Sequence, residues 1–256
     1  MTRAVVLAGG LGMRLRPYTA VLPKPLIPIG DRPVLDIVIR QLRHHDFDRV
    51  TIATGYLAEL IEAFFRDGSA YGVPIDYHRE QTPLGTAGAI ASIDDLDGEG
   101  FLVMNGDVLT DLDYTALMAA HAESGAIATI ASAQRHVEIT LGVLRFTDPD
   151  APDRLTAYDE KPKLDYEASM GIYAFDTRVL EYMEPGEHLD FPDLIGRLLD
   201  AGETINAFRS DAYWLDIGRH EDYETAVDEF ERMRGRLLPG EGETDGDVLP
   251  LRRASS

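Results

Sequence analysis

Apolar residues along this chain come in two rhythms. Short unbroken runs bounded by turn formers alternate with longer stretches in which apolar residues return every three or four positions. AVVLA (4–8), DRVTIAT (48–54), VPIDYH (73–78) and FLVMN (101–105) are of the first kind and predict strands. PVLDIVIRQLRHH (33–45), LAELIEAFFRDG (57–68), TAGAIASI (86–93) and YTALMAAHAESG (114–125) are of the second and predict helices. AIATIAS (126–132) returns to strand. Strands separated by helices of this length imply βαβ units. The expected class is therefore α/β, a mixed and mostly parallel sheet with helices on both faces. On such a sheet ligands sit at the carboxyl ends of strands. Gly9-Gly10 and Asp107 fall at two such ends.

The rhythm changes in the second half. LGVLRF (141–146), RLTAYDE (154–160) and MGIYAF (170–175) predict strands joined by acidic loops, extending the sheet with antiparallel pairs. LDFPDLIGRLLDAG (189–202) predicts a helix behind an aspartate cap, and RHEDYETAVDEFERMRGR (219–236) a long amphipathic one. From residue 237 to 256 there are turn formers and acids but no periodicity. The reading is one domain over residues 1–236 and a disordered tail over 237–256.

Composition narrows the function. The length of 256 residues, the 45% apolar share and the 27% charged share suit a globular chain with a real core. A formal net charge of -21 argues against general affinity for nucleic acid or an anionic membrane. There are no cysteines, which removes disulfides, thiol chemistry and Cys-ligated zinc. No stretch approaches the ~20 apolar residues of a membrane span. The opening MTRAVVLAGGLG has a short apolar run without targeting logic around it, so a cytoplasmic protein is expected. Only three lysines occur, Lys24, Lys161 and Lys163, against 21 arginines. Retained lysines then point to places where an arginine fork does not serve.

Concentrated glycine and positive charge follow the first strand: AVVLAGGLGMRLRPYTAVLPKP (4–25). Glycine lets backbone N–H groups approach an anion closely. Two common phosphate loops fail here. The dinucleotide fingerprint needs a third glycine where Leu15 stands, and the P-loop needs Gly-Lys-Ser/Thr, whereas Lys24 sits between prolines. A glycine-rich turn with incidental arginines is the bland alternative.

The string L-A-G-G-x-G-x-R-L-x-P-x-T followed by P-K-P-L resembles the entry loop of the sugar-1-phosphate nucleotidylyltransferases. PLGTAGAI (83–90), NGDVLTD (105–111), DEKP (159–162) and YWLDIGRHEDY (213–223) resemble the same family in the same order. The wording is closest to the mannose- and heptose-1-phosphate guanylyltransferases. The resemblance runs from residue 4 to about 230 and implies a Rossmann-like nucleotide-binding fold. It also implies the reaction of an NTP with a sugar 1-phosphate to give an NDP-sugar and pyrophosphate. Both substrates are anions, so an acidic chain must build a local positive site.

By resemblance Leu7, Ala8, Gly9, Gly10, Gly12, Met13, Gly85 and Thr86 bind the nucleotide. Arg14 and Lys24 neutralise phosphates, and Asp107 and Asp216 hold Mg²⁺. Asn105, Gly142, Glu160, Lys161 and Gly171 receive the sugar phosphate. Met13 departs from the family, which usually has threonine there, and this implies tuning by a lost hydroxyl. Glu80, five residues before Gly85, falls near the base edge. A carboxylate only accepts, which ranks guanine first, uracil or thymine second, cytosine and adenine last. Trp214 reads as packing beside Asp216, Lys163 as solvated, and His44-His45 as a charged helix end. A UTP- or dTTP-dependent enzyme and a catalytically silent nucleotide-sugar-binding regulator are the alternatives. A silent relative should have lost Lys24, Asp107 or Asp216, and this chain keeps all three. Homodimerisation is left open.

Overall fold

The computed structural model describes residues 2–96, 98 and 100–240. The strands are β1 (Arg3–Ala8), β2 (Pro28–Ile29), β3 (Arg32–Pro33), β4 (Arg49–Thr54), β5 (Ile75–Arg79), β6 (Phe101–Asn105), β7 (Val108–Thr110), β8 (Ala128–Glu138), β9 (Gly142–Arg145), β10 (Ala157–Glu160), β11 (Lys163–Phe175), β12 (Ile205–Arg209) and β13 (Trp214–Asp216). The α-helices are α1 (Val34–His44), α2 (Ala58–Phe65), α3 (Gly85–Ala91), α4 (Tyr114–Ser124), α5 (Phe191–Asp200) and α6 (His220–Leu237).

Seven strands form the main sheet in the order β12-β8-β11-β6-β1-β4-β5. β1 lies parallel to both β4 and β6, and β11 enters antiparallel between β6 and β8. Alternation along β1 explains the layering. Ala4, Val6 and Ala8 face one core with Leu35, Val38 and Leu42 of α1 and Ile61 and Phe65 of α2. Val5 faces the other, with Ile90 of α3 and Leu194 and Leu198 of α5. Both faces are covered, which is why these strands read as unbroken apolar runs.

A third cluster joins Ile27, Ile29 and Val34 to Leu109, Ile217 and Phe230, so α6 closes the molecule. Gln41 is its polar clasp. The buried side chain donates through Nε2 to Thr110 O (2.5 Å) and Leu237 O (2.9 Å), and Tyr114 donates to its Oε1 (3.3 Å).

Three expectations are corrected. β9 and β10 pair only with each other and do not extend the main sheet. They sit beyond a ribbon of β8 and β11, each longer than expected, whose outer residues are largely exposed. The body does not end at 236: Leu237 and Leu238 are buried in the third cluster. The rest of the expected tail, from 241, lies outside the described residues. His45 packs against Tyr114 at the end of α1, and burial pushes its imidazole below the usual histidine value, so it favours the neutral form.

Candidate active site

The candidate side chains around the cleft are held by strand ends and buried turns. Gly9 follows β1. A Cβ there would stand 2.6 Å from Glu80 Oε2, so glycine is what admits the Glu80 carboxylate to the loop. Glu80 follows β5, and its Oε1 accepts from Leu84 N (3.1 Å). Gly12 has φ 59, and a Cβ there would meet the Thr19 methyl at 2.7 Å. Buried Thr19 donates from Oγ1 to Gly12 O (2.8 Å) and pins the loop from below. Lys24 opens a short 3₁₀ turn between Pro23 and Pro25, both buried. The prolines fix its backbone and aim it at Asp107, with which its Nζ forms an ion pair.

Asp107 is placed by the end of β6. Gly106 N donates to Leu7 O (2.9 Å), stitching the turn to β1. Antiparallel pairing of β7 with β13 sets Asp216 opposite Val108, and Ile217 N donates to Asp107 O (3.1 Å). The two aspartates are thus neighbours across one strand pair. Partial desolvation pushes the Asp216 carboxyl above the usual carboxylate range, and the Asp107 charge adds to it. Lys24 and Arg14 pull the other way. Arg14 lies on this side: a Cβ at Gly218 would be 3.5 Å from Arg14 Nη2 and 3.7 Å from Asp216 Oδ2. Trp214 packs as expected, under Arg135 (4.8 Å) and donating to Met170 O (2.9 Å). Asp111 accepts from Tyr213 N (2.8 Å) and pairs with Arg236, which tethers the segment carrying Asp216.

These elements enclose a cleft of about 310 Å³. Leu7, Ala8, Gly9, Gly10, Lys24, Glu80, Gly85, Thr86, Asn105 and Asp107 all line it. Gly12, Met13, Arg14 and Asp216 stand outside that lining, Arg14 and Asp216 flanking the Asp107 end. Met13 is exposed. Gly171, at φ 71 in a bulge of β11, abuts Asn105: a Cβ would come 2.6 Å from its Nδ2. Gly142, Glu160 and Lys161 are not brought to the cleft. They ride on the exposed β9–β10 hairpin, where Gly142 opposes Glu160 and Tyr158 donates to Glu160 Oε2 (3.0 Å).

Sequence reasoning missed Asp190, which also lines the cleft. The expected cap of α5 makes no bond to its own helix. Its Oδ1 instead accepts from Thr86 N (2.9 Å) and Thr86 Oγ1 (3.2 Å), capping α3. A weak signal existed. Pro192 removes one N–H that an aspartate at 190 would otherwise bind.

The chain matches the family model described as nucleotidyl transferase over residues 3–232. A UTP--glucose-1-phosphate uridylyltransferase of Synechocystis sp. is 37% identical over 244 residues, covering 88% of this chain and 62% of that protein. A mannose-1-phosphate guanylyltransferase of Mycobacterium tuberculosis is 34% identical, covering 86% and 62%. The chain therefore spans about 62% of the length of these relatives. It is 32% identical to the D-glycero-alpha-D-manno-heptose 1-phosphate guanylyltransferase of Aneurinibacillus thermoaerophilus, covering 89% of this chain and 98% of that one. Among solved structures, HddC from Yersinia pseudotuberculosis complexed with GMP-PN superposes with a TM-score of 0.70 at 26% identity, covering 90% and 100%. The match begins at the first strand and runs almost to the end of α6, so this chain belongs to the nucleotidyl transferase family.

Proposed function

We propose that the protein transfers a nucleotidyl group from an NTP to a sugar 1-phosphate, and that its preferred pair is GTP with a mannose- or heptose-type sugar phosphate. One observation carries the reading: Lys24, Asp107 and Asp216 converge beside a glycine loop at the carboxyl end of the sheet. A phosphate oxygen of the sugar 1-phosphate attacks the α-phosphorus, the bond to the bridging oxygen breaks, and pyrophosphate leaves. The protein's share is positioning and charge neutralisation. The loop's N–H groups and Arg14 hold the triphosphate, and Lys24 meets the charge that develops at the attacked phosphorus.

The donor set fits magnesium. Asp107 and Asp216 offer hard carboxylate oxygens, and their mutual repulsion is what a divalent cation would relieve. Among the described residues no group of three or more acids and histidines is poised for a metal, so phosphates and water would complete the shell. The ion would supply charge neutralisation between the two reacting phosphates.

Glu160 and Lys161 are assigned to the sugar phosphate, a contact that requires the hairpin and the cleft to approach on binding. The base preference rests on Glu80, whose position between Gly9 and Leu84 supports an acceptor at the base edge. UTP is the second reading, favoured by the likeness to the Synechocystis uridylyltransferase. A matrix of five NTPs against mannose, heptose, glucose and amino-sugar 1-phosphates, read as pyrophosphate release, decides it. Turnover with UTP or dTTP and none with GTP overturns the guanine preference. No release from any pair overturns the activity.

A further inference from the structure

We infer that Asp190 reads a ring hydroxyl of the sugar 1-phosphate and sets which sugar the site accepts. The inference rests on the proposed activity. Asp190 occupies the N-terminal flank of α5, a position where its carboxylate would ordinarily bind the first turn. It turns away and caps α3 through Oδ1 alone, while Thr86 Oγ1 in return accepts from Phe191 N (2.9 Å). The exchange rigidly fixes the carboxylate between two helix starts. Among the described residues Oδ2 takes no hydrogen bond, although Asp190 lines the cleft.

The surroundings say what Oδ2 can meet. Of the other two carboxylates of the cleft, Asp107 pairs with Lys24, and Glu80, held by Leu84 N, is the one assigned to the base. Among the described residues no cation pairs with Asp190, so a phosphate placed against it would be repelled. What remains is a neutral donor, a ligand hydroxyl. Two groups carry hydroxyls, the ribose and the sugar, and the packing favours the sugar. Phe191, next in sequence, stacks on Tyr173 at 4.2 Å. Tyr173 lies two residues from Gly171, whose backbone abuts Asn105. Asp190 thus lines the same cleft as Asn105, the residue assigned to the sugar phosphate, and the sugar hydroxyl is the donor proposed for it.

The discriminating variant is Asp190→Asn. Its side-chain oxygen still accepts from Thr86 N and Oγ1, but Oδ2 becomes a donor. Kinetics with mannose and glucose 1-phosphates and their deoxy analogues should show the KM for sugar phosphate raised roughly ten- to a hundredfold, with the KM for NTP and the melting temperature unchanged. For one deoxy analogue, the one lacking the hydroxyl that Asp190 reads, the difference between variant and wild type should vanish. Asp190→Ala should add a loss of melting temperature, because it also uncaps α3. Calorimetry of sugar 1-phosphate binding to wild type and Asp190→Asn reads the same contact without turnover and separates this inference from the activity itself. Equal affinities in the two proteins, no binding to either, or an effect confined to the NTP would overturn it.

Discussion

Lys24 and Lys161 are two of the three lysines in the chain, and their surroundings are opposites. Lys24 stands between buried prolines with its side chain 13% exposed and ion-paired to Asp107. Lys161 stands exposed at the end of the β9–β10 hairpin with φ 47, a left-handed backbone that a lysine seldom adopts. The difference separates two ways of building a site. At the strand ends the core holds charge in place before any substrate arrives, so electrostatic work is done at folding. On the hairpin Glu160 and Lys161 are exposed and away from the cleft, so under the proposed assignment substrate binding would do the ordering. On that proposal the first arrangement suits steps that every substrate shares, and the second suits choice among sugars.

The contrast predicts where mutations fall hardest. Asp107→Asn and Asp216→Asn should each lower turnover by about a thousandfold or more with an unchanged circular dichroism spectrum, since each removes one of the two carboxylates proposed to face the reacting phosphates. Pyrophosphate release measures it, and near-normal rates in either variant would dissolve the strand-end half of the comparison. Lys24→Arg should lose most activity as well, because a planar fork does not fit a seat shaped for an ammonium. On the hairpin, Glu160→Gln and Lys161→Ala should instead raise the KM for sugar phosphate about tenfold and leave that for NTP alone. Equal effects on both substrates would put the hairpin residues in the nucleotide half.

Stability sharpens the same comparison. Ending the chain at Arg236 removes Leu237 and Leu238, each at most 3% exposed, whereas ending it at Gly240 keeps them. At ~1.5–3 kcal/mol per buried leucine, the shorter chain should melt several degrees lower and the longer one should match the full chain. Calorimetry decides, and equal melting points would show that the end of α6 is dispensable.

The smallest expected effect is on pH. His121 is buried against Thr129 (2.9 Å) at the core end of β8, and desolvation holds its imidazole below the usual 6.5. The native form then stays neutral while the unfolded form takes a proton, so this contribution is complete above about pH 6.5 and is lost as pH falls from there through the native value. His121→Gln should flatten that slope of melting temperature against pH, and an unchanged slope would assign it elsewhere.

What the sequence made legible follows the same division. β1, β4 and β6 are buried on both faces and announced themselves as apolar runs. The turn from Gly9 to Lys24 was readable from its run of glycines and prolines and is pinned locally by Thr19 on Gly12, whereas the contacts of Gly9 with Glu80 and of Lys24 with Asp107 are long-range. β12 and β13 were not, since INAFR and WLD are short and only half-buried. Asp190 read only as a helix cap because its partner, Thr86, lies 104 residues away. The hairpin's departure from the sheet was hidden too: its strands have a strand's residues, and only the three-dimensional pairing shows which partner each takes.

The Gln41 clasp bears on how the molecule comes into being. Its two carbonyl partners are separated from it by 69 and 196 residues. During synthesis α1 emerges long before α6, and loop closure over such a span is slow. A nascent chain can assemble β1, β4, β5 and α1 while one side of α1 waits open to water. α6 then shuts that seam. The segment just before it carries β13, and with it Asp216, into register with β7. On this order of assembly, α6 docking and the seating of Asp216 opposite Val108 are expected to arrive together. Release of a ribosome-arrested chain, followed by pulse proteolysis and activity together, should show both appearing with one rate constant.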